Sequence, residues 1–289
     1  VTGPFTQGFV DEWHHTRMGE YTYACSDFKF KKGLVSATKT SGHTLQIADG
    51  LWLDKKFKAA MMKSIAQSEL DRKRFVYSDI GSILLQQVVE AVTGKTLDAY
   101  LVSEFYRPMG LEHTLFQPLN RYKKADIMPT AANDYLRRQD LCGYVHDEAA
   151  AFMGGVSGNA GLFSTAQELG KIYQMILNEG ELDGKRYLRP ETCRIFTTEK
   201  SAVSHRGLGY DKPNLKDPKA NACASSAPAS VYGHTGFTGT CAWVDPENDL
   251  VYIFLSNRLC PDAWNGKLNS MKIRQAVQEV IYQSLYTPE

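Results

Sequence analysis

Three short segments hold the residues best suited to chemistry. The first is Tyr232-Gly233-His234-Thr235-Gly236-Phe237-Thr238-Gly239-Thr240, with three glycines in seven residues just ahead of a strand pattern. Glycine there lets another molecule approach the backbone closely, a strand edge offers an amide donor, and His234 or Thr235 offers a polar contact. The same pattern also suits a plain glycine-rich turn entering an edge strand. The second is Phe75-Val76-Tyr77-Ser78-Asp79, just before a helix pattern. A tyrosine with a short polar pair can act as a general base with an orienting partner. The simpler alternative is that Ser78 or Asp79 caps the helix while Tyr77 packs. The third, Gly154-Gly155-Val156-Ser157-Gly158-Asn159-Ala160-Gly161-Leu162-Phe163-Ser164-Thr165, has four glycines in eight residues. It reads as a shaped loop, and no Gly-Lys-Ser/Thr follows to make it a phosphate loop.

The elements that must position these segments are legible from spacing. Ile80, Ile83, Leu84, Val88 and Val92 predict a helix stopped by Gly94. Thr96 opens another, with Leu97, Tyr100, Leu101 and Phe105 on one face, and residues 57–67 read as a short helix. Residues 119–144 are polar and irregular and read as a long surface excursion. Thr165-Ala166-Gln167-Glu168 is a capping box, in which the Thr hydroxyl accepts the third amide and the Glu reaches back to the Thr amide. The helix behind it carries Leu169, Ile172, Tyr173, Ile176 and Leu177, and Pro190 starts a further helix. Residues 212–230 read as a loop. Residues 240–244 and 250–256 read as strands joined through Asp245-Pro246-Glu247-Asn248-Asp249, hence a hairpin. The unbroken apolar run 250–255 suits a strand covered on both faces. Residues 267–285 close the chain as an amphipathic helix. This order predicts an α+β fold, an antiparallel sheet flanked by helices.

Composition narrows the function classes. The chain has 289 residues, 43% hydrophobic and 22% charged, with 33 basic and 32 acidic side chains for a net +1. That is a globular balance, without the basic footprint of a nucleic-acid binder. No window reaches the roughly 20 apolar residues of a membrane span, and no charged start with an apolar core marks a signal peptide. Cys25, Cys142, Cys193, Cys223, Cys241 and Cys260 form no C-x-x-C pair, so metal binding has no spacing support. They read as free thiols, with one or two disulfides open in an oxidising compartment. His146-Asp147-Glu148 lacks a second His at helical spacing and reads as a polar loop before a helix. His14-His15 and Arg72-Lys73-Arg74 read as surface. Tyr210 and Trp243 suit either a substrate groove or, for Trp243, the core of the hairpin.

Taken together and in this order, Y-S-D before a helix, G-G-x-x-G-x-A-G-L-x-S-T before a capped helix, and H-T-G before a hairpin resemble the serine hydrolase superfamily of class C beta-lactamases, D-alanyl-D-alanine carboxypeptidases and related esterases. Phe105-Tyr106-Arg107-Pro108-Met109-Gly110-Leu111-Glu112-His113-Thr114 adds to the likeness, which runs from about Lys73 to the C-terminus. The chain looks most like the module fused behind family 3 glycoside hydrolases. The resemblance implies one beta-lactamase-like domain, with a helical part over about 78–200 and a sheet with terminal helix over about 231–285.

In that superfamily S-x-x-K supplies the nucleophile and its lysine, Y-x-N the acid/base tyrosine, and K-T-G or H-T-G the substrate-binding strand. Carried over, Tyr77 is the acid/base residue, with Asp79 beside it where the family most often has Asn. His234-Thr235-Gly236 is the strand motif, Phe237 N–H is the oxyanion donor, and Ser78 and Gly155 face substrate. An ionised Asp79 accepts but cannot donate, so it suits pairing with the catalytic lysine.

The S-x-x-K in the chain is Ser36-Ala37-Thr38-Lys39, followed by the helix-breaking Thr40-Ser41-Gly42-His43-Thr44 and only 77 − 36 = 41 residues ahead of Tyr77. Ser36 and Lys39 are therefore a poor fit to a nucleophile dyad. The expectation is that the first strands and the nucleophile helix lie upstream, with this chain the remainder of a longer multidomain protein prone to self-association through an open sheet edge. The resemblance further implies a small-molecule or cell-wall-derived amide or ester substrate, no metal or organic cofactor, and a periplasmic or extracytoplasmic location. The alternative is a non-catalytic binding module that uses the H-T-G groove without a nucleophile.

Overall fold

The computed structural model describes residues 10–12, 15–18, 21–24, 29–69, 75–263 and 265–286. His14, Cys25 and the Arg72-Lys73-Arg74 run lie outside the described residues. The chain forms two compact units: Val1–Tyr100 with Leu115–Phe163, and Leu101–Thr114 with Ser164–Glu289. The fold is α+β, and every strand pair among the described residues is antiparallel.

The first unit begins with β1 (Val10–Glu12), β2 (His15–Met18), β3 (Tyr21–Ala24) and β4 (Lys29–Phe30), paired β1 with β4 and β2 with β3. A three-stranded sheet follows from β5 (Val35–Ser36), β6 (His43–Ala48) and β7 (Leu51–Asp54), ordered β5-β7-β6. Against it, α1 (Phe57–Ala66) buries Phe57, Met61 and Ile65, one residue per helical turn. These three share a core with Leu34, Ile47, Leu53, Ile83, Leu136 and Phe152, and the Phe57 and Phe152 rings sit 5.2 Å apart.

Next come α2 (Ile80–Thr93), ended by Gly94 in the left-handed conformation, and α3 (Leu97–Leu101). Helix α2 does not bury the stripe expected from spacing. Ile83 and Gln86 are buried, whereas Leu84, Leu85, Val88 and Val92 are exposed. Gln86 is inside because its amide has partners there: it donates to the Val156 carbonyl and accepts from Gly158 N–H.

The unit closes with β8 (Leu115–Phe116), β9 (Pro129–Asp134), β10 (Gln139–Cys142), α4 (Glu148–Phe152) and β11 (Leu162–Phe163), pairing β9 with β10 and β8 with β11. The expected surface excursion over residues 119–144 is therefore corrected: it contains a hairpin that buries Ala131, Leu136 and Leu141. Its turn is held by a fully buried Asp134–Arg137 ion pair at 2.8 Å, and Arg137 also donates to the Val145 and His146 carbonyls. Asp134 and Arg137 thus pair inside, whereas residues 123–126 of the same stretch are exposed as expected.

In the second unit, a wide helical turn over Val102–Tyr106 packs Tyr106, Met109 and Leu111 on Met175 and Leu182. The following elements are α5 (Ala166–Leu177), β12 (Glu181–Leu182), β13 (Lys185–Arg186) and α6 (Pro190–Thr198). Thr165 caps α5 as expected, accepting from Glu168 N–H at 3.2 Å. The reciprocal half of the capping box is replaced. The Glu168 carboxylate instead accepts from the Glu112 and His113 amides, the His113 ring and the Thr114 hydroxyl. A local cap residue thus ties α5 to a segment more than fifty positions away in sequence.

A three-stranded sheet then forms from β14 (Tyr232–Thr235), β15 (Cys241–Asp245) and β16 (Leu250–Phe254), in that order, followed by α7 (Lys267–Ser270) and α8 (Ile273–Tyr286). The hairpin is where the sequence places it, but the covered strand is β15, all five of whose residues are buried. The apolar β16 is the edge strand and buries only Tyr252. Likewise the terminal helix is broken at Lys272, in a left-handed conformation, and it buries Gln278 and Tyr282 rather than Val277 and Val280. Both inward residues find partners: Gln278 accepts from Ala224 N–H, and Tyr282 donates to Asp245 Oδ2 at 2.8 Å.

Candidate active site

The strand motif lies at the end of β14. Pairing runs Tyr232 to Val244, Gly233 to Trp243, His234 to Ala242 and Thr235 to Cys241. Gly233 is required here, since a Cβ on it would stand 2.1 Å from the Ala242 carbonyl oxygen. On its other side Gly233 exchanges backbone hydrogen bonds with Asp211. The turn that follows is tight: Gly236 N–H donates to Thr240 O at 2.7 Å, and Gly239 N–H to Gly236 O at 3.1 Å.

His234 is half-buried. Its Nδ1 lies 2.7 Å from the Thr235 carbonyl oxygen and its Nε2 lies 3.0 Å from Nη1 of Arg206. Arg206 also pairs with Asp211 at 3.0 Å, so the cation beside His234 is balanced by a buried carboxylate. Phe237, which follows the motif, is 67% exposed, and the Arg258 guanidinium sits 4.3 Å from its ring centre while donating to its carbonyl. In the core behind the hairpin, burial pushes the Cys241 thiol up to about 11 and the Cys223 thiol up to about 12. Both are therefore neutral thiols at ordinary pH, as expected of cysteines that serve packing.

Tyr77, Ser78 and Asp79 belong to the first unit. Tyr77 is 57% exposed, in a segment without regular secondary structure that leads into α2. Ser78 Oγ accepts from Ile80 N–H at 3.3 Å. Asp79 occupies the cap position with helical backbone angles and makes no side-chain bond to the first-turn amides. Of the two residues offered as caps, only Ser78 makes such a contact, and Tyr77 does not pack into the core.

Gly155 also lies in the first unit, in a loop built on close approach. Gly154 and Gly155 both take positive φ, and the Gln117 side chain donates to the Gly154 carbonyl. A Cβ on Gly158 would lie 2.1 Å from the Ser82 carbonyl oxygen, so this loop can lie against α2 only with glycine there. Asp147 caps α4 through Ala150 N–H and accepts from Asn159, which links that helix to the same loop.

Ser36 ends the short strand β5 opposite Trp52, and its hydroxyl accepts from Thr38 N–H. Lys39 Nζ lies 5.5 Å from the centre of the Trp52 ring. The pair therefore does not sit on one helical turn.

Arg206, Asp211, Arg258 and Arg274 were not singled out by the sequence, although they hold the H-T-G strand and its turn. No local pattern marks them; only the fold brings them to the motif. A groove of about 490 Å³ in the same unit is lined by Gly170, Lys171 and Gln174 of α5 and Val251 and Ile253 of β16, among others, and by none of the H-T-G residues. Trp243 is core, at 2% exposure, and Tyr210 packs its ring 5.1 Å from that of Tyr232.

A family model described as beta-lactamase matches residues 37–274, which spans α2, the glycine loop and the H-T-G strand. The chain belongs to the beta-lactamase family. A protein of Escherichia coli (strain K12), named for a proposed D-alanyl-D-alanine carboxypeptidase activity, is 34% identical over 267 residues, covering 88% of this chain and 61% of that protein. A Salmonella gallinarum protein of the same name is 32% identical over 227 residues, covering 73% of this chain and 52% of its own length. This beta-lactamase-family chain thus spans about half to six-tenths of the length of the curated relatives it matches. Among solved structures, EstCE1, described as a hydrolase with promiscuous acyltransferase activity, superposes with a TM-score of 0.52 at 18% identity, over 78% of this chain and 62% of that one. That likeness is one of fold.

Proposed function

We propose that this chain carries the tyrosine and strand parts of a serine hydrolase that acts by acyl transfer on an amide or ester, with a cell-wall peptide as the natural substrate class. The reading is supported chiefly by the H-T-G turn. Its turn is closed by bonds from Gly236 N–H to Thr240 O and from Gly239 N–H to Gly236 O, and the residue that follows the motif is exposed, which suits an acyl-binding strand. The names of the relatives favour a peptide ending in D-alanyl-D-alanine.

The residues divide the work as follows. A serine hydroxyl forms a bond to the substrate carbonyl carbon, losing its proton to the tyrosine–lysine pair. Tyr77 is the acid/base member and returns that proton to the leaving amine or alcohol as the carbon–leaving-group bond breaks. Water then attacks the acyl-enzyme by the same route in reverse. Phe237 N–H stabilises the oxyanion, a contribution of roughly 3 kcal/mol for one such donor. Thr235 and Gly236 align the acyl group along β14, with Ser78 and Gly155 on the substrate side. Asp79 pairs with the lysine. Because Ser36 ends strand β5 and Lys39 lies beyond it in irregular chain, the pair opens no helix, and the nucleophile and its lysine are assigned to a helix outside these residues, in a longer extracytoplasmic protein.

The test exposes this chain, and a version extended upstream by about 150 residues, to a fluorescent penicillin and a p-nitrophenyl ester. Labelling or turnover by the extended chain alone is expected. Labelling of the 289-residue chain by itself would overturn the assignment of the nucleophile, and inertness of both would favour a binding module.

A further inference from the structure

The peptide between Gly236 and Phe237 is held by a side chain from the terminal helix. Arg274, at the start of α8, sends Nη1 to the carbonyl oxygens of Gly236 at 3.3 Å and Thr240 at 2.8 Å. Its Nη2 donates to Asn269 Oδ1 at 3.1 Å, and its own carbonyl accepts from the Tyr252 hydroxyl at 2.9 Å. The arginine is thus fixed through both side chain and backbone. With Gly239 N–H as a second donor, the Gly236 oxygen accepts two bonds.

The cis peptide among the described residues is Cys260–Pro261, so the Gly236–Phe237 bond is trans. In a trans peptide the N–H points opposite to the carbonyl. Anchoring Gly236 O on Arg274 therefore aims Phe237 N–H away from α8. The following peptide is pinned as well, since Arg258 Nε donates to Phe237 O at 2.7 Å. A charged donor on a carbonyl also polarises the peptide, and this strengthens the N–H at its other end.

We infer that Arg274 is a positioning residue that orients and polarises the Phe237 amide as an anion-binding donor. This rests on the reading of Phe237 N–H as the oxyanion donor. Arg274 acts through the peptide and does not touch the substrate. A lysine in its place keeps the charge but loses the planar fork that serves two carbonyls and Asn269 together.

The experiment uses Arg274→Met and Arg274→Lys. In the 289-residue chain, the amide resonance of Phe237 is followed by NMR with hydrogen exchange. In the upstream-extended protein, p-nitrophenyl ester kinetics are measured. For Arg274→Met the account expects a shifted Phe237 amide that exchanges faster. It also expects kcat lowered about ten- to a hundredfold, less than the loss of a whole donor, with KM within about threefold. Arg274→Lys should recover part of kcat, and added ethylguanidinium should recover part of it in Arg274→Met. An unchanged Phe237 amide in both variants overturns the inference, as does an unchanged kcat in a folded variant. If the wild-type extended protein turns nothing over, the functional reading fails, while the Phe237 amide still decides whether Arg274 holds that peptide.

Discussion

Arg206 donates from Nη1 to Nε2 of His234 at 3.0 Å, while Nδ1 of the same ring lies 2.7 Å from the Thr235 carbonyl oxygen. Arginine can only donate and a carbonyl can only accept. The two contacts are therefore satisfied together by one state, a neutral imidazole with its proton on Nδ1. His234 thus stiffens the end of β14, and Arg206 is what selects its tautomer. Long-range nitrogen–proton spectra should show the Nδ1–H form in the native chain and a mixed population in Arg206→Met.

The same substitution takes the guanidinium from Asp211, which is 5% exposed, paired with Arg206 at 3.0 Å and 3.6 Å from His205 Nε2. Removing the partly exposed cation from a buried carboxylate that keeps a histidine nearby costs about 1–3 kcal/mol. Urea melts should show that loss for Arg206→Met and a smaller one for Arg206→Met combined with Asp211→Asn. Equal losses would mean that the pair is not coupled.

Gly158 offers a sharp steric test. A methyl there would collide with the Ser82 carbonyl oxygen, separating the glycine loop from Gln86 and leaving buried amide groups unpaired. Gly158→Ala should cost about 3 kcal/mol or more. Gly81, in the first turn of α2 with open space around its Cβ position, should tolerate alanine and gain up to about 1 kcal/mol. Thermal melts of the two variants should move in opposite directions.

Glu168 sets a pH dependence. Burial pushes its carboxyl up, but hydrogen bonds from Thr114, His113 and Glu112 outweigh that and hold it below the usual carboxylate range. The folded state therefore binds this proton less readily than the unfolded chain. The stabilisation is present above the ordinary glutamate value of 4.5 and is lost as pH falls through the lowered one. Glu168→Gln should lower stability by about 1–3 kcal/mol at neutral pH. It should also flatten the decline on the acid side, which is read from urea midpoints at successive pH values.

How far the sequence reached is clear from single elements. The strand ends at His234-Thr235-Gly236, the Asp245–Asp249 turn and the Thr165 cap were legible because each depends on neighbours in sequence. The partners were not. Glu168 looked like a local cap residue, yet it serves amides at positions 112 and 113. Leu250 to Leu255 looked doubly covered, but β15 takes the centre of the sheet and leaves β16 at the edge. The Asp134–Arg137 pair lies in a stretch read as surface, and Gln86 and Gln278 lie outside the apolar stripes, yet all four are buried: polarity predicts exposure until the fold supplies a partner. The same holds for Arg206 and Arg274, which meet the H-T-G strand and its turn across 28 and up to 38 residues of sequence.

In the proposed reading, Tyr77 and the H-T-G strand serve a serine outside these residues. The most direct measurement is to label the upstream-extended protein with a fluorophosphonate and locate the modified serine by peptide mass, with Tyr77→Phe alongside. The account predicts one adduct, on a serine upstream of this chain followed three residues later by lysine, formed much more slowly in Tyr77→Phe. An adduct on Ser36, or labelling at an equal rate without the tyrosine hydroxyl, would contradict it.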